Sequence, residues 1–338
     1  MSFVKILLYF ESQKLLEKSG IGRAFTHQKK ALESVNVQYT TKKSDINYDI
    51  LHINTYGLNS YHMVRQAKKR NKKVIYHAHS TEEDFRNSFI GSNLLAPIYK
   101  KHLIRLYNSA DQLITPTPYS KKVIENYGIK KPIKVLSNGV SLEKFQRSQT
   151  KEQKFREYFS LKPEQKVIIS VGLYFERKGI LDFVKVAESF PEYTFIWFGH
   201  TPLYSVPAKV RQVVRGNHPK NVIFPGYIQG DILEGAYTNA DLFFFPSYEE
   251  TEGIVVLEAL ASRQNVLLRA IPVYNEWLKD KENCYMGVTN EAFVSLIERI
   301  MTGKLPDLRE NGYQTAVEKS IPKIGEQLKE IYEEVLEG

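Results

Sequence analysis

The sequence predicts an α/β protein built from two doubly wound parallel-sheet domains. Short runs of β-branched and other apolar residues alternate with amphipathic helical stretches, and the alternation starts twice along the 338 residues. The runs are apolar on both faces, as is typical of parallel strands covered by helices on either side. With hydrophobic residues at 42% of the chain, each series can bury a core of its own.

The first series fills the N-terminal part of the chain. The apolar run at residues 4–10 is short, includes Lys5 and lacks a small-residue cleavage pattern. We therefore interpret it as a strand and not as a signal peptide. The predicted strands are residues 4–10, 50–53, 74–77 and 112–115 with a weaker one at 133–136, and the predicted helices are 21–34, 61–69 and 121–127.

The second series follows a polar, charged stretch, residues 141–165, which we interpret as a linker. Its predicted strands are residues 167–171, 195–198, 222–224, 242–245 and 266–269, and its predicted helices are 180–189, 232–239 and 255–262. We therefore expect domains over 1–150 and 151–320. A last helix over 321–338 has apolar residues at helical spacing and can pack back on the first domain.

Charge is distributed unevenly along the chain. Residues 1–150 hold 25 Lys and Arg against 11 Asp and Glu, whereas the remainder holds 22 against 27. A basic first half predicts a polyanionic partner, which could be a membrane surface, a nucleic acid or an acidic substrate. The single cysteine, Cys284, excludes an internal disulfide and a Cys-rich zinc site, and a cytoplasmic location is expected.

Glycines and polar residues cluster where the predicted strands end. In open parallel sheets, ligands bind beyond the carboxyl ends of the strands, so we expect these loops to line one crevice between the domains. The segments are Gly20-x-Gly22, His77-x-His79, Ser137-Asn138-Gly139, Gly172 to Gly179, and Pro246 to Gly253.

Arg177 and Lys178 follow a strand and precede a helix. An anion at a helix start gains support from the helix dipole, so the pair predicts a diphosphate site, although two such cations are also typical of a solvated surface. As loop cations they are expected to be exposed and to contribute little to stability.

Glu250 and Glu258 are separated by seven residues, and Glu258 lies in an apolar helical stretch where a carboxylate needs a partner. A hydroxyl-rich ligand would supply one. A glycosidase acid–base pair is the weaker interpretation, because it leaves the two cations without a role.

A metal site is not expected. His77 and His79 face the same way on a strand, but the acidic run at 82–84 does not fit a zinc spacing, so we expect one of the two histidines to face the crevice. The sequence contains no Asp-x-Asp motif of the kind that holds a divalent cation in other transferases.

Together these motifs resemble the family 4 retaining glycosyltransferases of GT-B fold. The resemblance is carried by Pro246-Ser247-x-x-Glu250-x7-Glu258, by Gly172 with Arg177-Lys178-Gly179, and by Ser137-Asn138-Gly139-Val140. Residues 77–93, and residues 10–23 with Glu17-Lys18-Ser19-Gly20, are more closely similar to the diglycosyldiacylglycerol synthases of Gram-positive bacteria. Those enzymes add a second hexose to glucosyl-diacylglycerol, which yields the glycolipid anchor of lipoteichoic acid.

The resemblance implies a role for each matched residue. Arg177 and Lys178 would hold the diphosphate of a UDP-sugar, and Glu258 would bind the ribose. Glu250 would bind the donor sugar, with His79 near the reacting carbon. Gly20, Gly22, Asn138, Gly172 and Gly253 would complete the donor site. Thr251 departs from the family pattern, in which Gly is common, so the donor sugar stays open between glucose and galactose. Ser141 stands where the family often has Asp, but it lies near the linker and affects these expectations little.

The resemblance predicts a UDP-hexose-dependent hexosyltransferase that needs no metal or other cofactor and acts on a glycolipid at an anionic membrane surface. Two basic tracts, residues 68–73 and Lys100-Lys101-His102 with Arg105, would dock it to the inner face of the plasma membrane. The apolar residues that would dip into the bilayer interface are Phe85, Phe89, Ile90, Leu94, Leu95, Ile98 and Tyr99. The alternative is that these apolar residues belong to the core and that the lysines form a solvated face. A transferase of polysaccharide or polyprenyl-linked saccharide synthesis is the alternative, and a basic nucleic-acid-binding module is a remote one.

Overall fold

The computed structural model describes residues 4–17 and 19–337, with side chains for all of these except Lys14 and Leu15. Three residues of the predicted motifs and segments lie outside the described residues: Phe3 beside the first strand, Lys18 before the Gly20 motif, and Gly338 at the end of the last helix.

The first parallel sheet has six strands in the order β2-β1-β3-β4-β5-β6. Its strands are β1 Lys5–Tyr9, β2 Gln38–Thr40, β3 Ile50–Ile53, β4 Lys73–His77, β5 Gln112–Thr115 and β6 Ile133–Val135. The helices that connect them are α1 Gln13–Leu16, α2 Gly20–Ser34, α3 Leu58–Lys69, α4 Glu82–Phe85, α5 Ser92–Asn108 and α6 Pro118–Glu125.

The second parallel sheet also has six strands, in the order β12-β11-β10-β7-β8-β9. Its strands are β7 Val167–Val171, β8 Thr194–Phe198, β9 Val222–Gly226, β10 Leu242–Phe245, β11 Val266–Arg269 and β12 Tyr285–Gly287. The remaining helices of the chain are α7 Gln149–Tyr158, α8 Ile180–Ala187, α9 Ala208–Arg215, α10 Asp231–Asn239, α11 Ile254–Ala261, α12 Asn290–Met301, α13 Arg309–Glu318 and α14 Ile321–Glu337. Short 3-10 helices lie at Glu143–Phe145, Glu176–Lys178 and Pro272–Tyr274.

The sheets belong to two compact units that are not simple halves of the chain. The first unit contains the residues up to Phe85, the segment Leu94–Val140 and the residues from Lys319 onward. The second unit contains Arg86–Asn93 and Ser141–Glu318. The main passage from one unit to the other therefore falls at 140–141.

Helix α14 belongs to the first unit. It packs on α2, and its apolar face joins a core cluster with strand residues such as Leu8 and Ile75. Ile324, Leu328 and Tyr332 are buried there. The spacing of these residues in the sequence is the cause of the packing, because residues three and four apart share one helix face.

The predicted linker over 141–165 is wrong, since much of this stretch forms the helix α7, which packs on α10. One fully buried aromatic residue, Phe155, anchors α7, and Lys151 pairs with Glu234 of α10 at 2.7 Å. The stretch looked like a linker because its remaining surface is polar. Among the described residues, none of the helices combines the length and the apolar character needed to cross a bilayer.

Candidate active site

In the second unit, the loops after β7 and β10 lie against each other. Gly172 directly follows β7, and its carbonyl accepts a hydrogen bond from the Trp197 indole at 2.9 Å. Gly179, with φ of 76°, lies so close to the loop after β10 that a Cβ there would stand 2.2 Å from the carbonyl oxygen of Pro246. Only glycine fits both the left-handed backbone and this approach, which brings the Arg177-Lys178 pair beside the Glu250 loop.

Arg177 is held by two segments of the second unit, Arg86–Asn93 and the loop after β10. Its Nε donates to the Ser88 hydroxyl at 2.9 Å, and NH1 donates to the Glu249 carbonyl at 2.9 Å. Its own carbonyl accepts from the Tyr248 amide at 2.7 Å. Arg177 is only 8% exposed, so the expectation of an exposed loop cation is wrong, because its guanidinium is drawn inward by these oxygens.

Lys178 and Glu250 form an ion pair, in which Nζ contacts Oε1. The same carboxylate oxygen accepts a hydrogen bond from the Ser247 hydroxyl at 2.7 Å. The side chains of Lys178 and Glu250 are 14% and 7% exposed, respectively. A charged pair so shielded from water interacts more strongly than a surface pair.

Glu258 lies in α11, the helix that follows the Glu250 loop, and it is buried. The Tyr237 hydroxyl donates to Glu258 Oε2 at 2.8 Å, which is the kind of partner that a buried carboxylate needs. Gly253 stands at the N-cap of α11, and a Cβ there would lie 3.3 Å from the Tyr274 hydroxyl. Burial raises the pKa of Tyr274 well above its usual value, so this hydroxyl stays protonated.

In the first unit, the predicted residues lie in three segments that follow β1, β4 and β6. Gly20 and Gly22 begin α2, where the Ser19 hydroxyl accepts from the Gly22 amide at 3.4 Å. Asn138 is buried in the loop after β6, where the next carbonyl, that of Gly139, accepts a hydrogen bond from His27 Nδ1 at 2.8 Å.

His79 lies just beyond β4 in a buried polar chain. Its Nε2 donates to Asn54 Oδ1 at 3.0 Å, and Asn54 Nδ2 donates to Gln28 Oε1 at 2.8 Å. Gln28 Nε2 in turn lies 3.0 Å from His52 Nδ1. Burial lowers the pKa of His79 to about 3, so the ring is neutral at neutral pH and its Nε2 carries the proton.

The His77 ring stacks on His79, with centroids 4.0 Å apart. Both His77 ring nitrogens are buried with no hydrogen-bond partner. Within residues 4–17 and 19–337, no group of three His, Cys, Asp or Glu side chains is arranged to hold a metal ion.

Three residues around these groups were not predicted from the sequence: Ser88, Asn54 and Arg269. Arg269 donates to the Pro246 carbonyl at 3.0 Å and covers the Tyr248 ring at 3.9 Å, so it supports the loop that carries Glu250. The contacts of Ser88 and Arg269 join residues far apart in the chain, and no spacing signal could have revealed them.

Comparison with known proteins identifies the family. Residues 151–318 match the family described as Glycosyl transferases group 1, and residues 30–144 match Glycosyltransferase Family 4. The chain is 48% identical over 336 residues to the processive diacylglycerol alpha-glucosyltransferase of Acholeplasma laidlawii, which covers 98% of this chain and 99% of that protein.

The chain belongs to the family 4 glycosyltransferases. This glycosyltransferase is also 27% identical over 284 residues to the alpha-galactosylglucosyldiacylglycerol synthase of Streptococcus pneumoniae, with 83% of this chain and 76% of that protein covered.

Solved structures share the fold of this glycosyltransferase. Anabaena HepE in complex with UDP-glucose superimposes with a TM-score of 0.78 at 17% identity, covering 98% of this chain and 99% of that one. Sucrose-phosphate synthase from Thermosynechococcus elongatus gives 0.77 at 16% identity, with 98% and 99% covered. The predicted GT-B architecture of two Rossmann-like parallel-sheet units with a C-terminal helix is confirmed.

Proposed function

We propose that this glycosyltransferase moves glucose from UDP-glucose to a diacylglycerol glycolipid, with retention at the anomeric carbon. One observation carries the proposal: Arg177, Lys178 and Glu250 stand together where β7 and β10 end, with Glu258 in the helix that follows. Two cations beside two carboxylates suit a ligand that has a diphosphate at its centre and hydroxyl-rich sugars on either side.

Lys178 and Glu250 would exchange partners when the donor binds. In the ion pair, Glu250 serves as the counterion of Lys178. A diphosphate would replace Glu250 at Lys178, and the released carboxylate would accept hydrogen bonds from the sugar hydroxyls. Glu258, already paired with the Tyr237 hydroxyl, would accept from the ribose in the same way.

The reaction breaks the bond between the glucose anomeric carbon and the β-phosphate oxygen, and forms a bond from that carbon to the acceptor oxygen. The acceptor hydroxyl loses its proton, and UDP leaves with the bonding electrons. Negative charge grows on the β-phosphate in the transition state, where fixed cations stabilise it most. Arg177 is fixed before the donor arrives, since hydrogen bonds from two segments hold its guanidinium.

His79 would lie beside the donor sugar as a neutral ring. Because its pKa is lowered to about 3, it cannot serve as a cationic acid at neutral pH. With Nε2–H bonded to Asn54, its other nitrogen can act only as a hydrogen-bond acceptor toward a sugar hydroxyl.

The choice of glucose rests on the relative that is 48% identical over nearly the whole chain and is named as a glucosyltransferase. The name of that relative also describes it as processive, so we propose diacylglycerol and glucosyl-diacylglycerol as successive acceptors. Use of the product as the anchor of lipoteichoic acid stays a prediction from the resemblance.

A docking face on α5 supports a bilayer-borne acceptor. Leu94, Leu95 and Ile98 are 82%, 46% and 67% exposed, and Lys101 and Arg105 follow one and two turns after Ile98. Apolar side chains followed by cations on one helix face are typical of helices that lie in the interface of an anionic membrane. We propose that this face, Leu94 to Arg105, docks to the inner surface of the plasma membrane.

Incubation with lipid acceptors and sugar nucleotides tests the proposal. Diacylglycerol and glucosyl-diacylglycerol in vesicles would each be offered UDP-glucose or UDP-galactose, with mass and linkage analysis of the product. We expect α-linked glucosyl lipids from UDP-glucose. Transfer only to a polyprenyl-linked or soluble saccharide would overturn the lipid acceptor, and transfer only from UDP-galactose would overturn the donor.

A further inference from the structure

We propose that the segment Arg86–Asn93 is a positioning element for the donor site, and that Ser88 is the residue through which it orients Arg177. The inference rests on the proposed role of Arg177 at the diphosphate. The segment lies in the sequence between α4 and α5, which belong mainly to the first unit, yet it is part of the second unit.

The segment contacts both the main chain and the side chain of Arg177. The Arg177 amide donates to the Asn87 carbonyl at 3.2 Å, and the guanidinium Nε donates to the Ser88 hydroxyl at 2.9 Å. On the other side, NH1 donates to the Glu249 carbonyl at 2.9 Å. A guanidinium is planar and rigid, so two hydrogen bonds from different nitrogens set the orientation of the whole group.

The segment is itself well braced. The Asn87 amide donates to Asn93 Oδ1 at 2.9 Å, and Asn93 Nδ2 donates to Asn87 Oδ1 at 2.8 Å, which closes the loop. The Ile90 amide donates to the Ser205 carbonyl at 2.9 Å, which ties the loop to the second unit at another point. Ser88 is only 4% exposed, so water is largely excluded from its bond to Arg177.

The Ser88 hydroxyl gives the buried Arg177 guanidinium a hydrogen-bond acceptor, and it also fixes the orientation of that group. Without it, Nε would lose this hydrogen bond, and the orientation of the guanidinium would be less firmly fixed. The group that stabilises the leaving UDP would then have to be reordered when the donor binds, and that reordering would lower both affinity and rate.

The experiment compares UDP affinity, by calorimetry, and kcat and KM for UDP-glucose among variants of the full chain. Ser88→Ala should lower UDP affinity and kcat/KM by about tenfold, as expected for a lost hydrogen bond to a charged group. Ser88→Thr keeps the hydroxyl and should restore most of both. In an Arg177→Ala background, Ser88→Ala should have no further effect, because its partner is absent.

Ser262→Ala is the matched control, since Ser262 is an equally buried serine of the second unit outside Arg86–Asn93, and its hydroxyl donates to the Ala259 carbonyl at 2.8 Å. It should leave UDP affinity unchanged. If Ser88→Ala does not fold, Ser88→Cys decides the matter, because the thiol fills the site but is a weak acceptor; it too should lose about tenfold.

The outcomes separate the two proposals. If Arg177→Ala leaves UDP affinity unchanged, the proposed donor site is overturned. If Arg177→Ala lowers the affinity but Ser88→Ala and Ser88→Cys do not, only the positioning inference is overturned. An equal loss from Ser88→Ala with and without Arg177 would also overturn it, because Ser88 would then act through the fold.

Discussion

Arg177 and Lys178 are neighbours in sequence but have different kinds of partner. Ser88 and the Glu249 carbonyl offer neutral oxygens to Arg177, whereas Lys178 contacts the carboxylate of Glu250. A phosphate group therefore competes with an existing anion at Lys178. In the proposed complex, Ser88 and the Glu249 carbonyl would continue to hold the Arg177 guanidinium while it contacts the diphosphate.

Replacing Arg177 with Ala should lower kcat by about two orders of magnitude, the usual loss for one electrostatic stabiliser of a transition state. Because Arg177 is buried and hydrogen-bonded, the variant should also melt at a lower temperature. Steady-state rates with saturating UDP-glucose and a thermal unfolding scan measure the two effects. Lys185→Ala, at a position whose side chain is 65% exposed, is the control and should change neither. An unaltered kcat would remove Arg177 from the reaction.

Glu250→Gln should separate donor binding from turnover. The amide no longer neutralises Lys178, so UDP should bind at least as tightly as before, while kcat falls by about tenfold or more because a carboxylate that binds the sugar is lost. Calorimetric titration with UDP and initial rates with UDP-glucose provide the comparison. A joint loss of UDP affinity and kcat would mean that Glu250 organises the phosphate site instead.

Activity should persist in excess EDTA after the protein has been stripped of metal. In the proposed site, Arg177 and Lys178 supply positive charge at the diphosphate, and the sequence offers no Asp-x-Asp motif to hold a divalent cation there. The rate with EDTA is compared with the rate after addition of magnesium or manganese. Recovery of a lost rate by either ion would assign the phosphate chemistry to a metal.

Among the elements, the stretch from α4 to α5 differs in part from what its sequence predicted. Phe85 and Tyr99 were expected to dip into the membrane, but they stack on each other with ring centroids 4.2 Å apart. Lys100 pairs with Glu82 at 3.2 Å and lies 4.3 Å above the Tyr127 ring. These contacts lie within the first unit, so the docking face that we propose on α5 consists of the exposed residues Leu94, Leu95, Ile98, Lys101 and Arg105.

The double variant Lys101→Glu with Arg105→Glu should weaken binding to anionic vesicles by at least about thirtyfold, since each cation near such a surface contributes about 1 kcal/mol. Vesicle sedimentation at low and high salt measures the binding, and calorimetry checks that UDP affinity is retained. Lys42→Glu with Lys43→Glu makes the same charge change at two exposed residues away from α5 and should bind as the parent does. Equal binding of both variants would exclude α5 as the docking element.

At the scale of the whole molecule, three buried histidines make stability depend on pH. Burial lowers the pKa of His52 and His79 to about 3, from an ordinary value of 6.5, and lowers that of His77 well below 6.5. The unfolded chain binds these protons more readily than the folded chain. The stabilisation is therefore complete above pH 6.5 and is lost as the pH falls from 6.5 toward 3.

Urea unfolding between pH 7.5 and 5 should show a falling free energy of unfolding, with each histidine contributing up to about 1.4 kcal/mol per pH unit. His77→Phe keeps a ring but removes one titrating group, so its slope should be shallower. His62→Phe, at an exposed position on α3, should leave the slope unchanged. If His77→Phe does not alter the slope, the His77 ring takes up a proton as readily in the folded chain as in the unfolded chain.

Most strands of the two sheets could be predicted because each is marked by a run of apolar residues in its own sequence. Four consecutive apolar residues marked β10, and the same kind of run, from Ile6 to Tyr9, marked β1. In contrast, β2 was missed because it is three residues long, is largely polar and lies at the sheet edge beside β1. Its strand conformation depends on that pairing more than on its own residues.

The residues that we propose for the donor site could be placed in part from the sequence, since Arg177 and Glu250 each lie in a loop after a strand and Glu258 lies in the helix that follows. The residues that contact them in the structure could not be predicted from the sequence. Ser88 and Arg177 are 89 positions apart, and nothing in either local sequence reports the contact. The burial of Arg177 was missed for the same reason, because a loop cation is exposed by default until a distant segment covers it.

The first unit is assembled from separate segments of the sequence, and this affects how the chain folds as it leaves the ribosome. One side of its sheet is covered by Ile321, Ile324, Leu328 and Tyr332, which are synthesised after the whole of the second unit. Until α14 emerges, Leu8, Ile75 and Ile114 lack these partners, whereas residues 141–318 can already form a sheet with a core. We therefore expect the later-made unit to mature first, and the nascent first unit to expose an apolar surface that chaperones can bind.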